Sequence, residues 1–314
     1  AGSSQCSMCS EGSVPNANQS SCEPCEAGEV ALPGSSECSP CSAGKYASSR
    51  GECSQCEVGT YSDEGSTRCS LCEGGQIPDA GQRGCEDCHA GEFALLGSET
   101  CHVCQPGSAS HAGSSSCTLC KEGRYAADVG SSECSECPHG TFAGAGFSRC
   151  STCSEGSIPN VNQSSCELCE AGEVALPGSY SCVTCDDGTY APSGSGTCSQ
   201  CEEGRYAGKG STNCSQCEDG RIPDANRAGC VTCDPGEYAL SGSESCSTCQ
   251  PGSYSHGGIS SCPLCKEGWY SAEAGSSECS ECSRGTFASA GSSQCSMCSE
   301  GSVPNAEQSS CEPC

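Results

Sequence analysis

The chain has 314 residues, of which 40 are cysteine, 42 are glycine and only 4% are aromatic; 40 acidic residues against 13 basic ones give a formal net charge of −27. So few large apolar side chains cannot offset chain entropy through one buried core, which means the chain must be stapled by disulfides or by metal. The acidity argues against nucleic acid and anionic lipid as partners, since both need basic clusters, and no apolar run approaches the roughly 18–20 residues that cross a bilayer.

All the cysteines stand in Cys-x-x-Cys pairs, from Cys6–Cys9 to Cys311–Cys314. First cysteines recur at 6, 22, 38, 53, 69, 85, 101, 117 and so on to 311. The period is 16, with one step of 15 (38 to 53) and two of 17 (117 to 134, 262 to 279). A spacing held along a whole chain marks one small module repeated in line. Nineteen loops lie between the pairs, and each has Gly three residues after its opening cysteine: Gly12, Gly28, Gly44, Gly59 and onward to Gly301. Two residues later, 18 of the 19 have a strand-favouring apolar residue, such as Val14, Tyr46, Ile77 or Phe287; Ala109 is the exception. Four residues before the closing cysteine, fourteen loops have Gly and three have Asn (Asn18, Asn162, Asn226).

Gly and Asn tolerate positive φ, so both marked positions are expected to be turns. Between them lies a short extended piece whose apolar residue is expected to cover a disulfide and the next module. The fold class is therefore small disulfide-rich repeats: an extended rod of about 16-residue loop and short-β modules, with no single hydrophobic core. No sustained 3.6-residue periodicity appears, so almost no helix is expected. Two pairings are open to the residues themselves, across each loop or within each Cys-x-x-Cys. Two pairs separated by twelve residues also have the ligand count of a four-cysteine zinc site. Twenty such pairs in register on an acidic chain favour disulfides, and no metal is expected. A redox Cys-x-x-Cys would need a βαβ context that the sequence lacks.

The pattern Cys-x-x-Cys-x-x-Gly-x-Tyr-x-x-x-x-Gly-x-x-x-Cys, as in Cys56–Cys69 with Gly59 and Tyr61, resembles the cysteine-rich ephrin-receptor-like repeat. Cys265–Cys279, with Gly268, Trp269 and Tyr270, is a second good instance. The loop is also similar to the first submodule of tumour-necrosis-factor-receptor cysteine-rich domains, although the second, differently spaced submodule is absent. Long uninterrupted arrays of this kind resemble the shaft of algal flagellar mastigonemes. The resemblance implies pairing across each loop: Cys9–Cys22, Cys25–Cys38, Cys41–Cys53, Cys56–Cys69 and so on to Cys298–Cys311. Cys6 and Cys314 would then lack partners. Residues 290–314 repeat residues 1–25 at 24 of 25 positions, with Glu307 in place of Asn18. The chain accordingly reads as a segment of a longer polypeptide.

A slower rhythm overlies the modules. Ser10–Ser35 returns at Ser154–Ser179 and starts again at Ser299. Nine modules make one super-repeat: residues 1–149, then 150–294, then the start of a third copy at 295–314. Loops with Pro after the apolar position (Pro15, Pro78, Pro159, Pro223, Pro304) fall four, five, four and five modules apart. A filament needs contacts at fixed intervals, so these loops are expected to meet neighbouring chains.

Three Asn-x-Ser sequons, at Asn18, Asn162 and Asn213, point to N-linked glycans, and abundant exposed Ser makes O-glycans compatible with the chain. The five histidines read as lone surface residues, and Trp269 as local packing. No nucleophile, paired catalytic carboxylate or phosphate loop stands out, and no enzyme is expected. The expected function is the shaft of an extracellular or cell-surface appendage, self-associating into a filament with other surface glycoproteins. The alternative is the stalk or ligand-binding ectodomain of a surface receptor or adhesin.

Overall fold

The computed structural model describes residues 7–47 and 51–314. Among the described residues there is no helix, and the strands pair as two-stranded antiparallel hairpins, one to a module except at Cys249–Cys262, where a single bridge joins Ser253 and Leu264. The chain divides into two compact units, one of Ala1–Ser151 with Pro159–Ser165 and one of Thr152–Ile158 with Cys166–Cys314. Both are built from the same module.

The module at Cys56 shows how local chemistry makes the hairpin. Thr60 N–H donates to the Glu57 carbonyl at 3.1 Å, closing a tight turn. Its third residue, Gly59, has φ +83°, which a type II turn assigns to Gly. The chain then runs through Thr60–Tyr61, turns again at Gly65 (φ +72°) and returns along Ser70–Leu71. Cys56–Cys69 closes the neck. Across the described residues nineteen such disulfides join the second cysteine of one pair to the first of the next, from Cys9–Cys22, Cys25–Cys38 and Cys41–Cys53 to Cys298–Cys311. Their Cα–Cα distances of 5.5 to 5.8 Å are ordinary for disulfides. Cys314 is exposed and unpaired, whereas Cys6 lies outside the described residues. Closing a loop of this length is worth about 3 kcal/mol in the chain-entropy model.

Stacking between modules is done by backbone. In the first unit, Gly75 N–H donates to Ala94 O at 2.7 Å, Ala94 N–H to Ser114 O at 3.3 Å, and Gly97 N–H to Cys72 O at 3.0 Å. The second unit repeats the scheme with Gly172 to Ala191 O at 2.7 Å, Ala191 to Ser211 O at 3.2 Å, and Gly194 to Cys169 O at 3.3 Å. Each pair links a module to the next. A second approach skips one module. A Cβ placed on Gly75 would stand 2.0 Å from the carbonyl oxygen of Gly113, two modules on. Only glycine lets these backbones approach so closely.

That approach explains where the core sits. Tyr61, Phe93, Tyr125 and Tyr206 are only half-buried. The buried residues are the opening cysteines, such as Cys72, Cys104 and Cys185, and the small residue after the aromatic, such as Ala94, Ala126, Ala191 or Ser62. With backbones meeting at glycine, the interior has room for a methyl or a sulfur but not for a ring. Stability must therefore come from cross-links and hydrogen bonds more than from apolar area.

Candidate functional site: the Pro-loops, the sequons and a recess over Ala109

The five loops that carry Pro after the apolar position fold differently from the others. Their strands extend by one residue, as Ser13–Pro15 with Cys22–Pro24 and Gln76–Pro78 with Cys85–Asp87, a length shared among the other described modules only by Lys45–Ala47 with Cys53–Gln55. The longer ladder leaves a six-residue tip, closed by Asn16 N–H to Ser21 O and Asp79 N–H to Gly84 O. The side chain after Pro organises that tip. Asn16 Oδ1 accepts from Ser20 N–H at 2.9 Å, Asn160 Oδ1 from Ser164 N–H at 2.9 Å, and Asp224 Oδ1 from Ala228 N–H at 2.9 Å.

The left-handed residue of these loops is not the Asn expected from sequence. It is the next position: Gln19 (φ 52°), Gln82 (φ 55°), Gln163 (φ 51°), Arg227 (φ 54°) and Gln308 (φ 51°). The extra pair of ladder residues moves the bend forward by one, so positive φ falls on the last residue of a tight turn such as Asp79–Gln82. Gly81 holds the ordinary glycine position and lies outside the positive-φ set all the same. Loop geometry, and not residue preference, decides.

Those left-handed residues replace a missing backbone bond. In ordinary modules the turn glycine donates its N–H to the opening cysteine carbonyl of the preceding module, as Gly65 does to Cys41 O at 2.8 Å. In four of the Pro-loops a side chain reaches back to the preceding module instead, by way of nearby carbonyls. Gln82 Nε2 donates to Glu57 O at 2.9 Å and Thr60 O at 3.2 Å. Gln163 Nε2 donates to Pro138 O and Thr141 O, both at 3.0 Å. Gln308 Nε2 donates to Ser283 O at 3.1 Å and Thr286 O at 3.2 Å. Arg227 Nη1 reaches the cysteine carbonyl itself, Cys201 O, at 2.7 Å. Sequence reasoning missed this clip, although a signal was present: Gln or Arg stands four residues after each of the five prolines.

The sequon asparagines Asn18, Asn162 and Asn213 are all exposed, and they stand on separate modules, so no single site gathers them. Asn18 and Asn162 sit at Pro-loop tips, where Val161 beside Asn162 is 98% exposed. The sequon hydroxyls are engaged locally: Ser164 Oγ accepts from Asn160 Nδ2 at 3.0 Å and Ser20 Oγ from Asn16 Nδ2 at 3.2 Å. Asn213 precedes Cys214, which is bonded to Cys201.

One recess of about 600 Å³ lies over Ala109, walled by His111, Ser114, Leu119, Lys121, Arg124 and Glu133. Arg124 is held at its edge by Glu136 and by donating Nη1–H to Cys134 O at 3.0 Å. At the corresponding modules of the second super-repeat, Tyr254 packs edge-on against His256 at 5.2 Å, and Lys266 lies 4.7 Å over the Trp269 ring. Among the described residues no cluster of three or more His, Cys, Asp or Glu side chains is placed to hold a metal ion, and no helix is long and apolar enough to cross a membrane.

A family model described as "Tyrosine-protein kinase ephrin type A/B receptor-like" matches two stretches, residues 107–143 and 252–289, together about a quarter of the chain. No curated protein matches it. The likeness and the array of disulfide-closed modules support an extracellular or secreted protein, either a structural segment or a receptor ectodomain. Both are the setting in which cross-links of this density persist, and neither calls for catalytic residues.

Proposed function

We propose that the chain is a structural protein, the repeating shaft of an extracellular or cell-surface filament of the mastigoneme kind, and that it catalyses nothing. The observation that carries this reading is the nine-module rhythm. Pro-loops recur four and five modules apart with the same left-handed position at the tip, and four of them carry a Gln or Arg that reaches back to the preceding module, so similar surfaces return at fixed intervals. A lone receptor ectodomain has no evident use for such a register; lateral contacts in a filament do. The Gln clip serves the chain's own stacking, which leaves the exposed tips, with Val161 and the Asn18 and Asn162 sequons, to meet neighbours. Asn18, Asn162 and Asn213 carry N-linked glycans in this proposal, and exposed serines accept O-glycans. The partners are further copies of the chain and other surface glycoproteins.

The ephrin-receptor-like match favours a second reading, the stalk or ligand-binding ectodomain of a surface receptor. Electron microscopy of the native material separates the two. Filaments with an axial repeat of nine or eighteen modules are expected for a shaft, with the Pro-loops at contacts between chains. A monodisperse monomer that captures a protein ligand would replace this reading with the receptor one. Pro15, Pro78, Pro159 and Pro223 all facing solvent inside a filament would remove the contact role from the Pro-loops.

A further inference from the structure

The recess over Ala109 has an internal reference, because its two modules recur in the second super-repeat. The loop Cys104–Cys117 reads Cys-Gln-Pro-Gly-Ser-Ala-Ser-His-Ala-Gly-Ser-Ser-Ser-Cys, and Cys249–Cys262 differs from it at three positions. Two of those three line the recess: Ala109 becomes Tyr254 and Ser114 becomes Ile259. On the next module Arg124, also a lining residue, becomes Trp269. Three wall positions are therefore small or polar in the first super-repeat and large and apolar in the second. His111, Leu119, Lys121 and Glu133 keep their identities as His256, Leu264, Lys266 and Glu278.

The shared frame shows what the recess lacks. Tyr254 sets its ring against His256, whereas Ala109, 7% exposed, forms only a floor beside His111. Lys266 has the Trp269 ring beneath its ammonium, but Lys121 has neither a ring nor an ion-pair partner among the described residues. Arg124 is already committed to Glu136 and to Cys134 O. A chain of net charge −27 thus brings Lys121, Arg124 and His111 to one hollow, with Glu133 among its wall residues. The hollow has room for a ring, and Lys121 stands on its wall as an ammonium with no ion-pair partner among the described residues. Both a ring face and a carboxylate are good partners for an ammonium.

We propose that this recess binds a partner peptide that presents a tyrosine or phenylalanine next to carboxylates. The ring takes the place over Ala109 and beside His111 that Tyr254 fills in the second super-repeat, and a flanking carboxylate pairs with Lys121. The site stands on its own whether the chain is a shaft or a receptor.

The test is a titration of the intact chain with Ac-Glu-Tyr-Glu-NH2, following the imidazole proton resonances of the histidines. The acidic tyrosine peptide is expected to shift His111 and leave His256 unmoved, with at least about tenfold better affinity than Ac-Lys-Tyr-Lys-NH2 or Ac-Glu-Ala-Glu-NH2. Ala109→Tyr installs the residue that the second super-repeat already accommodates, so it is expected to fold with its disulfides intact and to lose binding. Lys121→Gln leaves the ring site in place and is expected to weaken binding about tenfold. Equal shifts at both histidines, undiminished binding by Ala109→Tyr, no preference for the acidic peptide, or no shift at millimolar peptide would each overturn the proposal.

Discussion

Ordinary modules and Pro-loop modules solve one stacking problem in two ways. In an ordinary module the second turn has Gly at positive φ, and the glycine N–H ties the module to the cysteine carbonyl behind it, as Gly65 does to Cys41. In a Pro-loop the ladder is longer, that N–H is no longer in place, and a Gln or Arg side chain reaches back instead. Another bond is common to both: Ala47 N–H donates to Ser66 O at 2.9 Å, and Ser62 N–H to Gln82 O at 3.0 Å. The difference teaches that what is kept is the tie to the module behind, while the carbonyl that accepts it shifts: Gln82, Gln163 and Gln308 use carbonyls just past the opening cysteine, and Arg227 uses the cysteine carbonyl itself. The donor is exchangeable.

The strongest test attacks what both module types share. A Cβ on Gly91 would stand 1.9 Å from Gly130 O, and Gly91 has φ +88°, so Gly91→Ala meets both a backbone clash and torsional strain. A loss of more than about 3 kcal/mol is expected, seen in denaturant unfolding and in protease cleavage near Gly130. An effect no larger than that of a surface substitution would show that the two backbones are not closely packed.

Gln163→Ala addresses what distinguishes the two. It removes two hydrogen bonds to Pro138 O and Thr141 O while leaving the backbone bond from Ala143 N–H to Gln163 O. About 1–2 kcal/mol of local stability should be lost, read as faster amide exchange at Ala143. Unchanged exchange would mean that the clip is ornamental. The smallest effect is expected for Arg227→Gln, which exchanges one natural clip for the other. Thermal unfolding should move by no more than about 0.5 kcal/mol; a larger loss would show that Arg227 depends on its ion pair with Glu244 at 3.1 Å.

Much of this was legible in the residues. The period of cysteine pairs, the turn glycines such as Gly59 and the alternation of turn and strand follow from local chemistry, because a glycine at positive φ and a short apolar strand need no distant partner. The cross-loop pairing was not readable from spacing alone; it came with the resemblance to a known module. The aromatic position was read correctly as strand, and in the structure it is only half-buried. The residue that is buried is the alanine after it, since packing of backbone on backbone leaves space for nothing larger. At the candidate sites the sequence pointed to Asn18, Asn162 and Asn213, which the fold leaves exposed and apart. It passed over Gln163, whose partners lie 22 and 25 residues back.

The sequence by itself determined the module, its turns and its repetition, because each depends on conformational preferences within a dozen residues. Only the tertiary structure decided how modules engage. The close approach of Gly75 to Gly113 joins residues that no local pattern relates, and it exists because the superposed turns bring a backbone carbonyl within reach of an absent side chain. The same holds for the recess. Ala109 looked like a lapse in an otherwise regular column of apolar residues, and the structure turns that lapse into a hollow with His111 and Lys121 on its walls. A missing ring has meaning only where its neighbours keep the space open.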